Sequence, residues 1–116
     1  MAFRFEDLQV WQKALQLGDA VNDLTKTFPK DELYVLTSQI KRSADSVVLN
    51  IAEGSTGQTK AVFKVFLSYA LRSAIEVVSC LFIAKKRNYI QDDQFKILYN
   101  EYEALVKMIT ALKNSF

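Results

Sequence analysis

The sequence predicts an all-α protein, an up-down-up-down antiparallel four-helix bundle, and three observations carry that prediction. Glycine and proline number only 3 and 1 in 116 residues, whereas an all-β chain would need many more turn residues. Half of the residues are hydrophobic, which argues against a disordered chain. Apolar residues recur every three or four positions along four long segments, and short connections between long helices make neighbours antiparallel. We expect residues 1–116 to form a single four-helix bundle domain.

The first two helices are expected over residues 7–27 and 31–53, because Pro29 pushes the residue before it out of the helical region. The main face of the first helix comprises Leu8, Trp11, Ala14, Leu15, Gly18 and Val21, with a spare stripe of Val10, Leu17 and Leu24. The face of the second comprises Leu33, Leu36, Ile40, Ala44, Val47 and Ile51. Gly54 is expected to end the second helix in the left-handed conformation.

The third and fourth helices are expected over residues 59–87 and 92–113. The third is apolar over most of its circumference, and the fourth has a second stripe opposite its main face. One interpretation of this additional apolar surface is a few exposed apolar residues, which every protein has. The other is a surface for self-association. The interface residues we predict on the fourth helix are Ile97, Ala104, Met108 and Ala111.

A stripe of polar residues follows one side of the second helix at spacings of three and four. It consists of Gln39, Ser43, Ser46, Asn50 and Glu53, with Arg42 beside it and Glu76 among apolar residues on the third helix. Three interpretations stay open: a solvated face, a polar network that fixes the register of the two helices, or a ligand site. In the network, Asn50 and Glu53 would bond the third helix or the 54–57 loop, and Arg42 would pair with Glu76 or Glu53.

The chain contains no histidine, which removes triad catalysis, most zinc chemistry and the Glu-x-x-His ligands of di-iron bundles. We therefore expect no metal and no cofactor. The single cysteine, Cys80, cannot form an intramolecular disulfide and is expected to be a small core residue rather than a reactive thiol. The N-terminus resembles no signal peptide, and the apolar stretch 73–84 is too short to span a bilayer. A soluble, cytoplasmic protein is expected.

The net charge of +2 is too small to indicate nucleic-acid binding by itself. The basic residues nevertheless cluster on the third helix, with Lys60 and Lys64 at its start and Lys85, Lys86 and Arg87 at its end. One interpretation is solubility together with dipole complementation at the helix end. The other is a phosphate-binding rim formed when an oligomer repeats each cluster.

Several of these stretches resemble one family in the same order along nearly the whole chain. They are FEDLQVWQKA at 5–14, FPKDELYVLTSQIKRSADSVVLNIAEG at 28–54, FLSYALRSAIE at 66–76 and NYI at 88–90. The family is the bacterial 23S rRNA intervening-sequence proteins, four-helix bundles first noticed as reading frames within large-subunit ribosomal RNA genes. The most specific stretch contains Gln39, Arg42, Ser46, Asn50 and Glu53.

The resemblance implies a bundle that assembles as a homopentameric ring, with no enzymatic activity. The family is also similar to the accessory protein of diversity-generating retroelements, a basic pentameric bundle that binds RNA and a reverse transcriptase. This chain departs from the family pattern at Val48, Leu49 and Arg72, and its charge is mild for that accessory role.

Three functions remain as hypotheses. The first is an oligomeric RNA-binding protein, whose binding would fall with salt and on replacement of Lys85, Lys86 and Arg87 by alanine. The second is a protein-binding scaffold without nucleic-acid affinity, which would retain its partner through Ile97 and Met108. The third is an enzyme or ligand-binding protein built on Arg42, Glu53 and Glu76, which would require a pocket where these groups converge.

Overall fold

The computed structural model describes residues 2–57 and 59–116, and it confirms the all-α four-helix bundle. A short 3-10 helix, Arg4–Asp7, precedes α1 (Gln9–Thr25), and a second, Lys30–Glu32, precedes α2 (Leu36–Gly54). The remaining helices are α3 (Lys60–Lys86) and α4 (Asp92–Asn114). The bundle measures 43 × 23 × 23 Å. In it α3 packs most extensively against α2 and then α4, while α1 completes the ring of neighbours.

The second helix begins five residues later than the sequence predicts. Lys30–Glu32 forms a 3-10 turn, and Val35 leaves the helical region with φ −120° and ψ −98°. Leu33, predicted in the core, is therefore 50% exposed. Glu32 is buried, and its carboxylate accepts hydrogen bonds from Arg87 and Tyr89 of the α3–α4 loop, which favours the 3-10 turn over a helix that starts at Asp31.

The buried stripe of α1 differs from the prediction. Val10, Ala14, Leu17 and Val21 are buried, whereas Leu15 is 48% exposed. The stripe that the sequence marked as spare is thus part of the core, and α1 offers less surplus apolar surface than its composition indicates. On α3 Phe63, Leu67, Ala70, Ala74, Val77 and Leu81 are all buried, and Val78 packs against the core half-buried.

By length and composition α3 could cross a membrane, because it has 27 residues and an 18-residue window of mean hydropathy 1.6. The sequence estimate considered only residues 73–84 and missed this. One such helix is weak evidence, since the core helix of a water-soluble bundle meets the same criteria. Its apolar character is in part explained by its packing against two neighbours at once.

Two chain reversals position the ends of α3. At its C-terminus Asn88 adopts φ 60°, the Tyr89 amide donates to the Ala84 carbonyl (2.9 Å), and the Asn88 amide donates to Lys85 (3.0 Å). This is a Schellman motif, in which asparagine tolerates the left-handed conformation better than most residues. Before α3, the glycine with positive φ is Gly57 (φ 86°), whereas Gly54 lies within α2, so the predicted left-handed Gly54 is wrong.

Candidate functional site

The polar stripe of α2 meets α3 in a hydrogen-bonded network. Glu76 Oε2 accepts hydrogen bonds from the Gln39 amide and from the Ser43 hydroxyl, the latter at 2.6 Å. Ser43 Oγ also lies 2.9 Å from the Gln39 carbonyl, but one hydroxyl proton serves one acceptor at a time and the carboxylate is the stronger. Glu76 is thereby fixed at the surface by two donors from the neighbouring helix.

Closer to the C-terminus of α2, Asn50 forms its hydrogen bonds within its own helix. Its Nδ2 donates to the Ser46 carbonyl (2.8 Å) and to Ser46 Oγ (2.9 Å). The Ser73 hydroxyl of α3 donates to the same Ser46 Oγ at 2.9 Å. Asn50 therefore reaches α3 only through Ser46, and it does not bond the 54–57 loop in the described part of the chain.

Arg42 and Glu53 stay outside this network. Both are exposed, and within residues 2–57 and 59–116 neither forms an ion pair. In the described chain Arg42 pairs with neither Glu76 nor Glu53, so this part of the network interpretation is not found. The register of α2 against α3 depends on neutral donors instead.

Gly54 makes the close contact between the end of α2 and α3. A Cβ atom placed on Gly54 would lie 2.7 Å from Cβ of Phe66 and 2.8 Å from Cδ1 of Phe63. Both distances are shorter than packed carbon atoms tolerate, so only glycine fits while the helices keep their separation. The end of α2 is tied to α3 by this approach rather than by Glu53.

Sequence analysis missed a polar cluster at the opposite end of the bundle. Glu32 Oε2 accepts hydrogen bonds from Arg87 Nη1 (2.9 Å) and from the Tyr89 hydroxyl (2.7 Å). The Tyr89 hydrogen bond, assisted by the charge of Arg87, holds the pKa of Glu32 below its ordinary value, and the same bond raises the pKa of Tyr89. No spacing rule joins positions so far apart in sequence, and the only signal was the placement of Tyr89 within the family-like stretch 88–90.

The five predicted RNA-contacting residues fall at the two ends of the bundle. At the end of α3, Arg87 is bound to Glu32, and Lys85 Nζ lies 3.8 Å from Asp92 and 4.6 Å from the centre of the Phe95 ring. Lys86 is exposed. At the start of α3, Lys60 is exposed and Lys64 half-buried, and neither forms an ion pair in the described part of the chain.

Two further cations share the end where α3 starts. The Arg4 guanidinium lies 5.5 Å from the centre of the Phe63 ring, and Phe63 contacts the Phe116 ring at 5.1 Å between centroids. Lys113 is one turn before Phe116 in the chain. These contacts gather Arg4, Lys60, Lys64 and Lys113 at one end of the molecule.

The predicted interface stripe on α4 is split. Ile97 is 63% exposed and Ala111 is also exposed, whereas Ala104 and Met108 are half-buried, with Met108 packed against the core. A second set of exposed apolar side chains lies on the outward side of α3. It comprises Val65, Tyr69, Ile75, Phe82 and Ile83, each between 38% and 60% exposed, and Phe82 also packs edge-to-face against Phe95 and Tyr99 of α4.

Two further titratable residues, Cys80 and Tyr102, are buried in the core. Burial, aided by the charge of Glu76, raises the pKa of the Cys80 thiol, so the side chain is a neutral core residue at pH 7, as predicted. Burial also raises the pKa of Tyr102, whose hydroxyl has no hydrogen-bond partner among the described residues. Within residues 2–57 and 59–116 no group of three acidic or sulfur ligands is placed to hold a metal ion.

A groove with a volume of about 740 Å³ lies between α1 and α2. Leu15, Gly18, Val48 and Leu49 supply its apolar wall, with Asp19, Lys41 and Asp45 at its rim. Arg42, Glu53 and Glu76 do not line it. The three groups of the ligand-site hypothesis therefore do not converge on this groove.

Both the fold and the sequence of this chain were compared with those of known proteins. The fold is similar to the crystal structure of a protein of unknown function from the S23 ribosomal protein family of Bacteroides thetaiotaomicron. The TM-score is 0.84 at 26% identity, and the match covers 90% of this chain and 95% of that one. No curated protein matches. The family model of the 23S rRNA-intervening sequence protein matches residues 6–111, and the chain belongs to that family.

Proposed function

We propose that this chain is a non-enzymatic homo-oligomer, a homopentameric ring in the bacterial cytoplasm, that binds RNA or a ribonucleoprotein through phosphate contacts. The contacts are made by Lys60 and Lys64 at one rim and by Lys85, Lys86 and Arg87 at the other. No metal, cofactor or membrane takes part. The name of the family, which refers to an intervening sequence of 23S rRNA, supports the choice of RNA.

The observation that carries the proposal is the group of cations at the start of α3. Arg4 lies over the Phe63 ring, which contacts Phe116. Lys60 and Lys64 belong to the first turns of α3 and Lys113 to the last turn of α4 at this same end, and the N-terminus of α3 adds its positive dipole end there. At the other rim Glu32 and Asp92 occupy Arg87 and Lys85. We therefore assign the larger share of phosphate binding to Lys60 and Lys64.

Repetition of this cluster around a ring would make it effective. A few lysines on one chain bind RNA weakly, but linked copies raise the effective concentration for every further contact. Each phosphate contact releases condensed counterions, so the binding constant falls steeply with salt. A net charge of only +2 per chain is compatible with this, because the charges that matter are local.

The proposal that the chain is not an enzyme has separate support. The sequence lacks histidine, and the Glu76 carboxylate at the α2–α3 surface is held by neutral donors and does not line the groove between α1 and α2. Arg42 and Glu53 point to no shared ligand position in the described chain, since neither contacts the other or Glu76.

The test is fluorescence anisotropy of a labelled RNA hairpin at about 50 and 200 mM salt. We expect Lys60→Ala with Lys64→Ala to weaken binding and to flatten the salt dependence, by roughly 0.7–0.9 in log–log slope for each phosphate that the variant no longer neutralises. The matched control is Lys96→Ala with Lys107→Ala, which removes two exposed lysines of α4, one in its second turn and one about two turns before its end. Equally weakened binding in the two double variants would overturn the assignment of the rim.

A second candidate is a protein-binding scaffold without nucleic-acid affinity. It is favoured by the exposed side chain of Ile97 and by the apolar outward face of α3, because large apolar patches mark interaction sites. Wild-type protein that assembles but leaves the anisotropy of the RNA unchanged at both salt concentrations would favour the scaffold.

A further inference from the structure

The outward face of α3 carries a stripe with the spacing of an interhelical seam. Val65, Tyr69, Arg72, Glu76, Ser79 and Ile83 follow one another at intervals of four, three, four, three and four residues. This is the spacing at which one side of a helix meets another helix along its length. All six residues are exposed, and at 1.5 Å per residue the stripe extends for about 27 Å.

Two charges at the centre of this stripe lack complete partners. Glu76 is oriented by Gln39 and Ser43, but both donate to Oε2, so Oε1 has no partner among the described residues. Arg72, one turn earlier on the same face, forms no ion pair there. A carboxylate oxygen of a side chain held by α2 and an exposed guanidinium are thus both unpaired one turn apart on α3, in the part of the chain that the structure describes.

The stripe is complementary to the same stripe on a second α3 helix that runs in the opposite direction. If a second α3 lies antiparallel, with a two-fold axis at the level of Ala74, Arg72 faces the partner's Glu76 and Glu76 faces the partner's Arg72. The same register places Val65 against the partner's Ile83 and Tyr69 against the partner's Ser79. A parallel pair would instead place like charges opposite one another, which is unfavourable.

We propose that the outward face of α3 binds the same face of a second copy of this chain through a two-fold antiparallel contact, closed by two symmetric Arg72–Glu76 ion pairs. Ile75 and Phe82, which are 60% and 52% exposed, flank the stripe and extend the contact. The interface is isologous, since each residue meets its counterpart reciprocally. It does not depend on the proposed ring, and it joins two single chains into a dimer if the chain is otherwise monomeric.

The test is the solution mass measured by light scattering over a range of protein concentrations. We expect Arg72→Glu, which opposes carboxylates in both symmetric positions, to weaken this association by at least about tenfold and to halve the mass. Glu76→Arg should do the same through opposed guanidiniums. Lys96→Glu, the same change at an exposed lysine of α4, should leave the mass unchanged.

Mixing the two variants gives the decisive result. A chain with Arg72→Glu and a chain with Glu76→Arg are each repelled by their own kind, yet they complement one another at both positions, so an equimolar mixture should regain the wild-type mass. A mixture that stays at half mass would overturn the contact. So would wild-type protein that never exceeds one chain, or a fall from five chains to one in Arg72→Glu, which would place this face in the ring instead. Wild-type chains that bind lipid vesicles without pairing would also overturn it.

Discussion

The two ends of the bundle are closed by opposite means. Where α2 passes into α3, Gly54 lets the helices approach until Phe63 and Phe66 fill the space, and the nearby lysines form no ion pairs in the described chain. Where α3 passes into α4, Glu32 draws Arg87 and Tyr89 together across the loop. Apolar packing leaves the cations of the first end available to a ligand, whereas at the second end Arg87 and Lys85 are paired with Glu32 and Asp92 and Lys86 stays exposed.

The largest effect is expected from adding a methyl group at Gly54, at the end where α2 meets α3. We expect Gly54→Ala to lower the free energy of unfolding by about 1–3 kcal/mol, because Cβ of Phe66 is fixed to its backbone and cannot move aside. Urea denaturation measures it. Gly57→Ala is the comparison, with open space around it and only the strain of its positive φ, about 1–2 kcal/mol. A Gly54→Ala protein as stable as wild type would contradict the close approach.

At the other end, where Glu32 binds Arg87 and Tyr89, the contribution to the free energy of unfolding should depend on pH. Because the folded pKa of Glu32 is lowered, its stabilising contribution is present above the ordinary value of 4.5 and is lost as pH falls through the folded pKa. We expect Glu32→Gln to be less stable than wild type at pH 7, with the difference shrinking below pH 4.5. Thermal unfolding across that range measures it. A difference that is constant with pH would show that the charge of Glu32 contributes nothing.

The same titration can be followed at the residue itself. Tyr89→Phe removes the hydrogen bond that lowers the pKa of Glu32 most, so we expect that pKa to return towards its ordinary value. Carboxyl carbon NMR of the two proteins compares them directly. An unchanged pKa would mean that Arg87, rather than Tyr89, sets it.

Gly18, in the middle of α1, provides a comparison for the Gly54→Ala result. A Cβ at Gly18 would meet Val48 Cγ2 at 3.9 Å, an ordinary contact, so alanine fits there. We expect Gly18→Ala to raise the free energy of unfolding by about 0.5–1 kcal/mol, since glycine is the poorer helix former. The same substitution thus has opposite signs at two glycines, and chemical denaturation of both variants tests the difference. A loss of stability at Gly18 would show that the α1–α2 groove is already tightly packed.

The smallest effect is expected at Glu53. Its carboxylate lies exposed in the last turn of α2, at the negative end of the helix dipole. We expect Glu53→Lys to stabilise the protein by about 0.3–1 kcal/mol at low salt, and less as salt screens the charge. Urea denaturation at two salt concentrations measures this. A clear loss of stability would restore Glu53 to the structural role that its place in the motif predicts.

Periodicity predicted the four helices because each buries a continuous face, and α3 and α4 begin and end close to the expected residues. It failed at α2, where Glu32 forms tertiary contacts that override local helix signals. On α1 it separated two stripes that the core combines: Ala14 and Val21 of the predicted face are buried together with Val10 and Leu17, whereas Leu15 is exposed. The polar stripe of α2 was recognised as a set, but which donors reach Glu76 depends on the separation of two helices.

The role of Gly54 shows the same limit at one residue. A glycine after an apolar helix is typical of a left-handed cap, and Gly54 and Gly57 both fit that pattern. Only the packing of Phe63 and Phe66 against α2 shows that Gly54 is needed for space and Gly57 for conformation. The Glu32 cluster joins residues 55 and 57 positions apart, a distance over which one sequence contains no periodic signal.

The central claim, an oligomeric bundle that binds RNA through phosphate contacts, is tested most directly by light scattering of the wild-type protein titrated with an RNA hairpin at about 50 and 200 mM salt. The account predicts a particle of at least five times the 13.3 kDa chain that takes up RNA at the lower salt and releases most of it at the higher. A particle of one or two chains whose mass is unchanged by RNA at both salt concentrations would contradict it.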